Sequence, residues 1–155
     1  MEAARLATAD DVARLAELAA EAVAEQVEAR GGAIWSQREA RALPANDSLR
    51  EAIDDPDQLV LAGTIDDAVV SYAVAKHERL RTGALLGIVT DIYAEPEARA
   101  VGLGEALLDG IIAWCKDAGC IGIDAWALPG NRETKNFFET FGFTARALVP
   151  HRKLV

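Results

Sequence analysis

Residues 94–104 read AEPEARAVGLG, from Ala94 to Gly104, and this stretch decides which fold the chain is expected to adopt. Apolar, β-rich residues precede it over 85–93 and apolar residues at helical spacing follow it, so the pattern predicts a strand, a glycine turn and a helix. The glycines lack a Cβ and let a ligand approach, while the free N–H groups and the positive dipole end of the helix face an anion. Arg99 adds donors that suit phosphate oxygens. These residues favour a site for a phosphate-bearing ligand; the alternative is an ordinary helix start that contains two glycines.

Side chains of the strand over residues 85–93 are expected to alternate between the two faces of a sheet. Alternation puts two sets of side chains on opposite faces, Leu86, Ile88, Thr90 and Ile92 on one and Leu85, Val89, Asp91 and Tyr93 on the other. The turn then lies at the carboxyl end of a strand, where open α/β sheets usually place their ligands.

Two familiar nucleotide-binding motifs do not fit this turn. Leu107 takes the place of the third glycine of a dinucleotide fingerprint, and no Gly-Lys-Ser/Thr ending marks a P-loop. What remains is the pattern Arg99-x-x-Gly102-x-Gly104. It resembles the signature Arg/Gln-x-x-Gly-x-Gly/Ala of the GNAT superfamily of acyl-CoA-dependent N-acyltransferases, in which this motif cradles the pyrophosphate of coenzyme A.

A second block, over residues 131–143, supports the resemblance. Asn131, Glu139, Gly142 and Phe143 fall where the family has an Asn, the Glu of a Tyr-Glu pair and a Gly-Phe pair. The resemblance covers residues 59–155 well and the earlier residues in general pattern. It implies one domain over residues 1–155 of the α/β (α+β) class with the GNAT fold. That fold is a mixed, mostly antiparallel sheet of six to seven strands, with helices on both faces and splayed fourth and fifth strands.

The resemblance also implies where acetyl-CoA, the expected cosubstrate, would lie. Backbone groups of Ile92, Tyr93 and Ala94 would pair with the pantetheine arm and polarise the thioester carbonyl. The pyrophosphate would be held by backbone N–H groups of Arg99, Ala100, Val101, Gly102, Leu103 and Gly104. Asn131 would bind near the pantetheine end of the cosubstrate, or would serve as a helix N-cap, and both roles are compatible.

Phe138 departs from the family pattern within the expected cofactor site. The family frequently has a Tyr at this place, which protonates the leaving thiolate, whereas a phenyl ring has no proton to give. A positioned acid contributes about 10²–10⁴-fold to a rate, but a thiol with a pKa near ~8.5 leaves tolerably well unaided. We therefore expect acyl transfer to be slowed more readily than abolished.

Asp91 and Tyr93 are the candidate catalytic residues. Asp91 interrupts an apolar strand, where a carboxylate is costly unless it is paired, hydrogen-bonded or solvated. We expect it to accept the amine proton or to bind a cationic acceptor, and the alternative is that it anchors a neighbouring loop. Tyr93 is the candidate proton donor in place of the missing Tyr. His77 and His151 lie in charged stretches that indicate solvated positions, and they are weaker candidates.

Composition narrows the class of protein. The chain has 155 residues, of which 51% are hydrophobic, enough for one domain with a core. No apolar run approaches the ~20 residues of a membrane span, and the first residues lack the pattern of a signal peptide. Cys115 and Cys120 have no His near them in sequence, which predicts neither a zinc site nor a disulfide framework, and so no metal. We expect a reduced, cytoplasmic protein.

The formal net charge of −9 argues against nucleic acid or a membrane as partners and slightly favours an amine acceptor. The sequence does not fix the oligomeric state, and the resemblance leaves a homodimer open, because dimers are common in that family. The acceptor-binding segments are the least patterned part of the chain, and they contain Trp35, which either packs on a substrate or fills the core.

The remaining elements follow from local patterns. We expect a strand over residues 1–7, a long helix that ends near Gly31, no clear pattern over 33–46, and a short helix over 48–54. Strands are expected over 59–65, from 69 past His77, and over 121–128, with a helix over 132–141. Residues 143–148 are expected to close the sheet, with a last short strand near His151.

Three functions follow from these patterns. The leading expectation is an N-acetyltransferase that moves an acetyl group from acetyl-CoA to a primary amine of a small molecule or protein. The second is a GNAT-like domain that binds acyl-CoA as a sensor or partner without turnover, which Phe138 favours. The third is an unrelated nucleotide-binding domain, which would respond to ATP or NAD.

Overall fold

Five strands form one sheet in the computed structural model, which describes residues 1–155. In chain order the strands are β1 (Glu2–Leu6), β2 (Gln58–Ile65), β3 (Ala68–Arg79), β4 (Leu85–Ala94) and β5 (Gly122–Ala125). The helices are α1 (Val12–Gln26), α2 (Gly32–Arg38), α3 (Asn46–Asp54), α4 (Leu103–Asp117) and α5 (Arg132–Thr140). Neighbours in the sheet follow chain order, and all pairs are antiparallel except β4 with β5. The mixed, mostly antiparallel GNAT-type sheet is confirmed.

Helices cover both faces of the sheet because β2 and β3 alternate apolar side chains in both directions. On β3, Tyr72 and Val74 join the core cluster under α1 and α3, whereas Ala73 and Ala75 join the cluster under α4. Helices α1, α3 and α4 each bury apolar side chains against the sheet, as Leu15, Leu49 and Leu107 do. The prediction of helices on both faces is confirmed.

A bulge at Thr90 interrupts the alternation of β4. Val74 pairs with Asp91 and Ala75 pairs with Val89, which leaves Thr90 as an extra residue without a partner on β3. Val89 and Ile92 therefore both pack on the α4 side of the sheet, while Tyr93 packs on the α1 side. The predicted grouping of Val89 with Asp91 and Tyr93 is wrong for this reason.

Strands β4 and β5 pair over only four positions, from Leu86 with Gly122 to Val89 with Ala125. Beyond Val89, β4 continues beside β3 alone, and the chain after β5 leaves the sheet. The two parallel strands thus splay apart at their carboxyl ends and open a cleft there. This is the expected position for a ligand site in such a sheet.

The sheet has five strands where six to seven were expected. Residues 143–155 form neither of the two predicted closing strands, and Leu148 and Val149 are 85% and 71% exposed. Those side chains remain exposed to solvent. Because β-propensity depends on side-chain packing and burial, their apolar pattern alone does not stabilise a strand here. The tail lies near the sheet through an ion pair in which Arg146 Nε donates to Asp124 Oδ1 at 2.7 Å.

Two further boundaries differ from expectation. Strand β5 ends at Ala125, earlier than predicted, and helix α2 occupies part of the segment that shows no pattern in the sequence. No helix is both long enough and apolar enough to span a membrane.

Candidate active site

Two adjoining cavities lie in the cleft where β4 leaves β5. The larger has a volume of ≈ 270 Å³ and the smaller ≈ 70 Å³. Both are lined by Gln26, Ile92, Tyr93 and Thr134. The larger cavity runs from β4 to the start of α4, and the smaller one lies between α1, α2 and the end of β5. The arrangement has room for an elongated ligand and, next to it, a second small group.

Arg99 and the first residues of α4, on either side of the glycine turn, lie at one end of the larger cavity. Residues 96–101 form a short 3₁₀ helix, and Gly102 adopts a φ of 83° just before α4 begins at Leu103. A φ in this region favours glycine. The first N–H groups of an α-helix have no partners within the helix, and no side chain caps those of α4. These groups and the helix dipole suit an anion.

Gly104 serves packing as well as access. A Cβ at this position would lie 3.0 Å from Cε1 of Phe137 in α5, so the missing side chain makes room for that ring. Arg99 and Gly104 line the larger cavity, as do Ile92, Tyr93, Ala94 and Asn131. Ala100, Val101, Gly102 and Leu103 do not line it. Val101 is 39% exposed and the Leu103 side chain is fully buried in the core.

Arg99 is held by three contacts at the mouth of the larger cavity. Its Nη2 donates to Glu25 Oε2 at 2.5 Å, and its Nε donates to the carbonyl oxygen of Ala94 at 2.9 Å. The guanidinium also lies 5.5 Å from the centre of the Tyr93 ring. The hydrogen bond from Arg99 lowers the pKa of Glu25 from its ordinary value.

Asn131 is the N-cap of α5, as the alternative reading of this residue predicts. Its Oδ1 accepts from the backbone N–H of Thr134 at 3.1 Å, and its Nδ2 donates to Gln26 Oε1 at 3.2 Å. The second contact joins α5 to the end of α1 between the two cavities. Because Asn131 also lines the larger cavity, the cap does not exclude the proposed contact with a ligand.

Asp91 lies at the smaller cavity with both carboxylate oxygens occupied. It accepts four hydrogen bonds, two from Arg41 at 2.8 and 2.9 Å, one from the Tyr72 hydroxyl at 2.7 Å and one from the Thr90 hydroxyl at 2.8 Å. The Asp91 and Arg41 side chains are only 7% and 12% exposed. The geometry is that of a buried bidentate ion pair that ties the segment between α2 and α3 to the sheet.

Arg41 and Tyr72 are site residues that the sequence analysis did not find. Arg41 lies in the segment without a clear pattern, and Tyr72 occupies a core position of β3. Burial, and then the charge of Asp91, raise the pKa of Tyr72 well above its ordinary value, so its hydroxyl stays a donor. The only signal in the sequence was Asp91 itself, since a carboxylate inside an apolar strand requires a partner.

Tyr93 is the hydroxyl-bearing aromatic residue common to the two cavities. Burial, together with the nearby Glu25 carboxylate, raises the pKa of Tyr93 to about 12. The phenol therefore keeps its proton at neutral pH. Phe138 lines the smaller cavity only, where its ring packs against Phe137 and Phe143 and is 5% exposed.

Two tryptophans lie in the site, whereas both histidines lie outside it. Trp35 and Trp126 line the smaller cavity. His151 lies in the exposed tail, as expected. His77 does not lie on a solvated face, because its ring stacks on Trp114 of α4 with centroids 3.7 Å apart. Neither histidine lines a cavity of the cleft.

Comparison with known proteins agrees with this architecture. Residues 15–143 match the Acetyltransferase (GNAT) family. A Bacillus halodurans protein, solved as a tetramutant, superposes with a TM-score of 0.82 at 21% identity, covering 97% of this chain and 99% of that one. No curated protein matches the chain.

Two solved acetyltransferases with different acceptors in their names also share the fold. Glucosamine-6-phosphate N-acetyltransferase from Arabidopsis thaliana has a TM-score of 0.71 at 16% identity, over 100% of this chain and 99% of that one. Ribosomal-protein-alanine N-acetyltransferase from Brucella melitensis has a TM-score of 0.70 at 16% identity, over all of both chains. Identities this low establish the fold alone. With the family match spanning most of its length and the splayed strands of its sheet, the chain belongs to the GNAT acetyltransferase family.

Proposed function

We propose that the protein is an N-acetyltransferase that moves an acetyl group from acetyl-CoA to a primary amine by direct attack on the thioester. The observation that carries the proposal is the cleft between β4 and β5, which leads to the uncapped N-terminus of α4. Family membership supports acyl transfer in general. The pair of adjoining cavities supports a reaction between two bound molecules.

The larger cavity suits the cosubstrate. Its inner wall is the edge of β4 that faces away from β3, where backbone groups from Ile92 to Ala94 are proposed to pair with the pantetheine arm. Its outer end has the N–H groups of α4 and the guanidinium of Arg99 for the pyrophosphate. Glu25 competes with a phosphate for Arg99, since its carboxylate now occupies Nη2 of the guanidinium and partly neutralises the charge.

The smaller cavity suits the attacking amine. It contains Trp35 and Trp126, whose faces bind apolar or cationic groups, and it meets the larger cavity at Ile92 and Tyr93. An amine entering here would approach a thioester held along β4. An unprotonated amine needs no base for this attack. The acceptor is accordingly a small molecule or a protein with an exposed amine. In both cases the part that carries the amine must be narrow enough to enter this cavity.

Tyr93 is the proposed proton donor to the leaving thiolate: the C–N bond forms as the C–S bond breaks, the thiolate takes the phenol proton, and the proton that the amine nitrogen loses returns to the Tyr93 oxygen, directly or through water. It lines both cavities, and its raised pKa keeps the phenol protonated. Asp91 is proposed as a positioning residue and not as the base, because four hydrogen bonds already fill its oxygens. Its role is to hold Arg41, and with it the segment beside the smaller cavity.

Ligand-dependent thermal unfolding followed by an assay for free coenzyme A tests the proposal. Acetyl-CoA and coenzyme A at ~100 times their dissociation constants should each add ~2.7 kcal/mol to the free energy of unfolding, a rise of several degrees. ATP and NAD should add nothing. The protein should then release coenzyme A from acetyl-CoA in the presence of at least one acceptor from a panel of small amines and N-terminal peptides. If neither acetyl-CoA nor coenzyme A shifts the unfolding at millimolar concentration, the proposal fails.

A non-catalytic acyl-CoA sensor is the second candidate, and Phe138 is the residue that favours it. Its ring occupies the family's Tyr position and is locked among other phenylalanines. A sensor would show the thermal shift with acetyl-CoA and would release no coenzyme A with any amine.

A further inference from the structure

Three soft or borderline metal-binding side chains meet at the far end of α4, outside the acetyl-transfer cleft. They are His77 of β3, Cys115 in the last turn of α4, and Cys120 just after that helix. Their donor atoms all lie within 4.8 Å of one another. The sequence places His77 far from both cysteines, and the antiparallel pairing of β3 with β4 brings it beneath α4.

The two thiols are brought together by the way α4 ends. The N–H of Cys120 donates to the carbonyl of Cys115 at 2.9 Å, and that of Gly119, with a φ of 81°, donates to Lys116 at 3.0 Å. This is a Schellman motif, in which side chains at the positions of Cys115 and Cys120 commonly touch. A packing contact between two thiols is thus the simplest account of the pair, and it leaves His77 unexplained.

His77 carries a polar atom with no partner. Its Nε2 is buried and neither accepts nor donates a hydrogen bond. A buried polar atom left unpaired costs about 1–3 kcal/mol, and each such case calls for an explanation. The ring is also held in place by its stack on Trp114, so the imidazole is presented in a fixed orientation.

The backbone below the cluster is shaped for the thiol of Cys115. Gly87 of β4 pairs with His77, and a Cβ at Gly87 would lie 2.5 Å from the Cys115 sulfur. Any other residue at this place would displace the sulfur. Because Gly87 has no side chain, the Cys115 thiol packs directly on the backbone of β4, next to His77 on β3.

We propose that His77, Cys115 and Cys120 bind a Zn²⁺ ion. Zinc takes two thiolates at ~2.3 Å and an imidazole at ~2.0 Å, which puts the donors about 3.5–3.8 Å apart, within reach of the observed cluster. Binding forms two Zn–S bonds and one Zn–N bond, releases the two thiol protons to solvent, and leaves the fourth position to water. The ion joins the end of α4 to β3, and this role is independent of acetyl transfer.

Titration of the reduced, chelator-treated protein with Co²⁺ and then Zn²⁺ tests the site. Wild type should develop a thiolate-to-cobalt charge-transfer band and the visible bands of a tetrahedral ion, and Zn²⁺ should bleach both. Zn²⁺ should also raise the unfolding temperature. Cys120→Ser removes a half-buried sulfur with little change in volume, and His77→Phe removes the nitrogen while keeping the stack on Trp114.

Each of these two variants should weaken Co²⁺ affinity by at least about tenfold and reduce the shift in unfolding temperature that Zn²⁺ produces. The matched control is His151→Phe, which alters the other histidine of the chain, in the exposed tail, and should bind as wild type does. If wild type gives no thiolate band, or if Cys120→Ser keeps the wild-type band and affinity, the thiols are only the packing contact that ends α4. Should His77→Phe fail to fold, the serine variant still decides.

Discussion

The two halves of β4 have the same extended backbone and different surroundings. From Leu86 to Val89 the strand has β3 on one side and β5 on the other, and Val89 belongs to the core under α4. From Thr90 to Ala94 it has β3 alone, and its residues line the two cavities. One strand thus acts as sheet in its first half and as the wall of a site in its second.

The bulge at Thr90 marks the change between the halves. It shifts the faces of the strand, so that Asp91 and Tyr93 turn toward α1 and the segment that carries Arg41. In the closed half, backbone pairing with β3 and β5 holds the strand on both sides. In the open half, β5 no longer pairs with the strand. There the Arg41–Asp91 ion pair neutralises the buried carboxylate, and Arg99 donates to the free carbonyl of Ala94.

The largest expected effect breaks the buried ion pair of the open half. Asp91→Asn leaves the Arg41 guanidinium buried without its counter-ion, and loss of one partner of such a pair costs about 3–5 kcal/mol. We expect this loss in the free energy of unfolding from urea titration. Asp124→Asn, on the strand that faces the closed half, removes an ion pair whose arginine is 69% exposed and should cost less than ~1 kcal/mol. Equal costs for the two variants would contradict the proposed anchoring role of Asp91.

A smaller effect concerns the proton donor in the open half. Tyr93→Phe should lower kcat by about 10²-fold and leave the Kd for acetyl-CoA unchanged, because only the hydroxyl is lost. Since the pKa of Tyr93 is about 12, the wild-type pH profile should show no loss of rate from this group near neutral pH.

The double variant Tyr93→Phe, Phe138→Tyr sharpens this test by moving the hydroxyl to the family's usual place. It should recover part of the lost rate, with Phe138→Tyr alone as the control. A kcat unaffected by Tyr93→Phe would remove Tyr93 from the mechanism.

Arg99→Ala addresses the end of the open half, where Arg99 joins the carbonyl of Ala94 to the glycine turn. Loss of a charge-assisted contact with the pyrophosphate should weaken acetyl-CoA binding about tenfold, equivalent to ~1.4 kcal/mol. Calorimetric titration gives the Kd. Arg50→Ala, which removes an exposed arginine of α3, should leave that Kd unchanged. Similar affinities for all three proteins would place the phosphates elsewhere.

Glu25→Gln should have the smallest effect. It frees Arg99 from its ion pair, which is half-exposed, and should tighten acetyl-CoA binding about two- to fivefold, in keeping with an exposed pair worth less than ~1 kcal/mol. Weaker binding in this variant would mean that Glu25 positions Arg99 and does not compete with the ligand.

The same ion pair predicts a pH dependence of stability. Because Arg99 lowers the pKa of Glu25 in the folded state, the stabilising contribution is present above the ordinary value of 4.5 and is lost as the pH falls below it. Wild type and Glu25→Gln should therefore differ slightly in unfolding temperature at neutral pH and converge in acid. A difference that grows in acid would reverse the assigned sign.

Much of the fold could be predicted because its signals are local. The acidic turn between β2 and β3 lies at Asp66 and Asp67, both with positive φ, as a tight hairpin turn requires. The glycine turn, the start of α5 at Asn131 and most strand bounds follow from similar short patterns. The tail was the main error, since an apolar pattern predicts a strand only where something is available to cover it.

By itself, the sequence determined the family, the glycine turn before α4 and the residues around it, because backbone conformation at glycines and caps depends on neighbours in the chain. Only the tertiary structure decided which side chains meet: Arg41 with Asp91 across 50 residues, Arg99 with Glu25 across 74, and His77 with the two cysteines. These contacts depend on the bulge, the splay and the packing of helices on two faces. Local periodicity carries no information about them, so the chemistry of the site emerges only when the chain is folded.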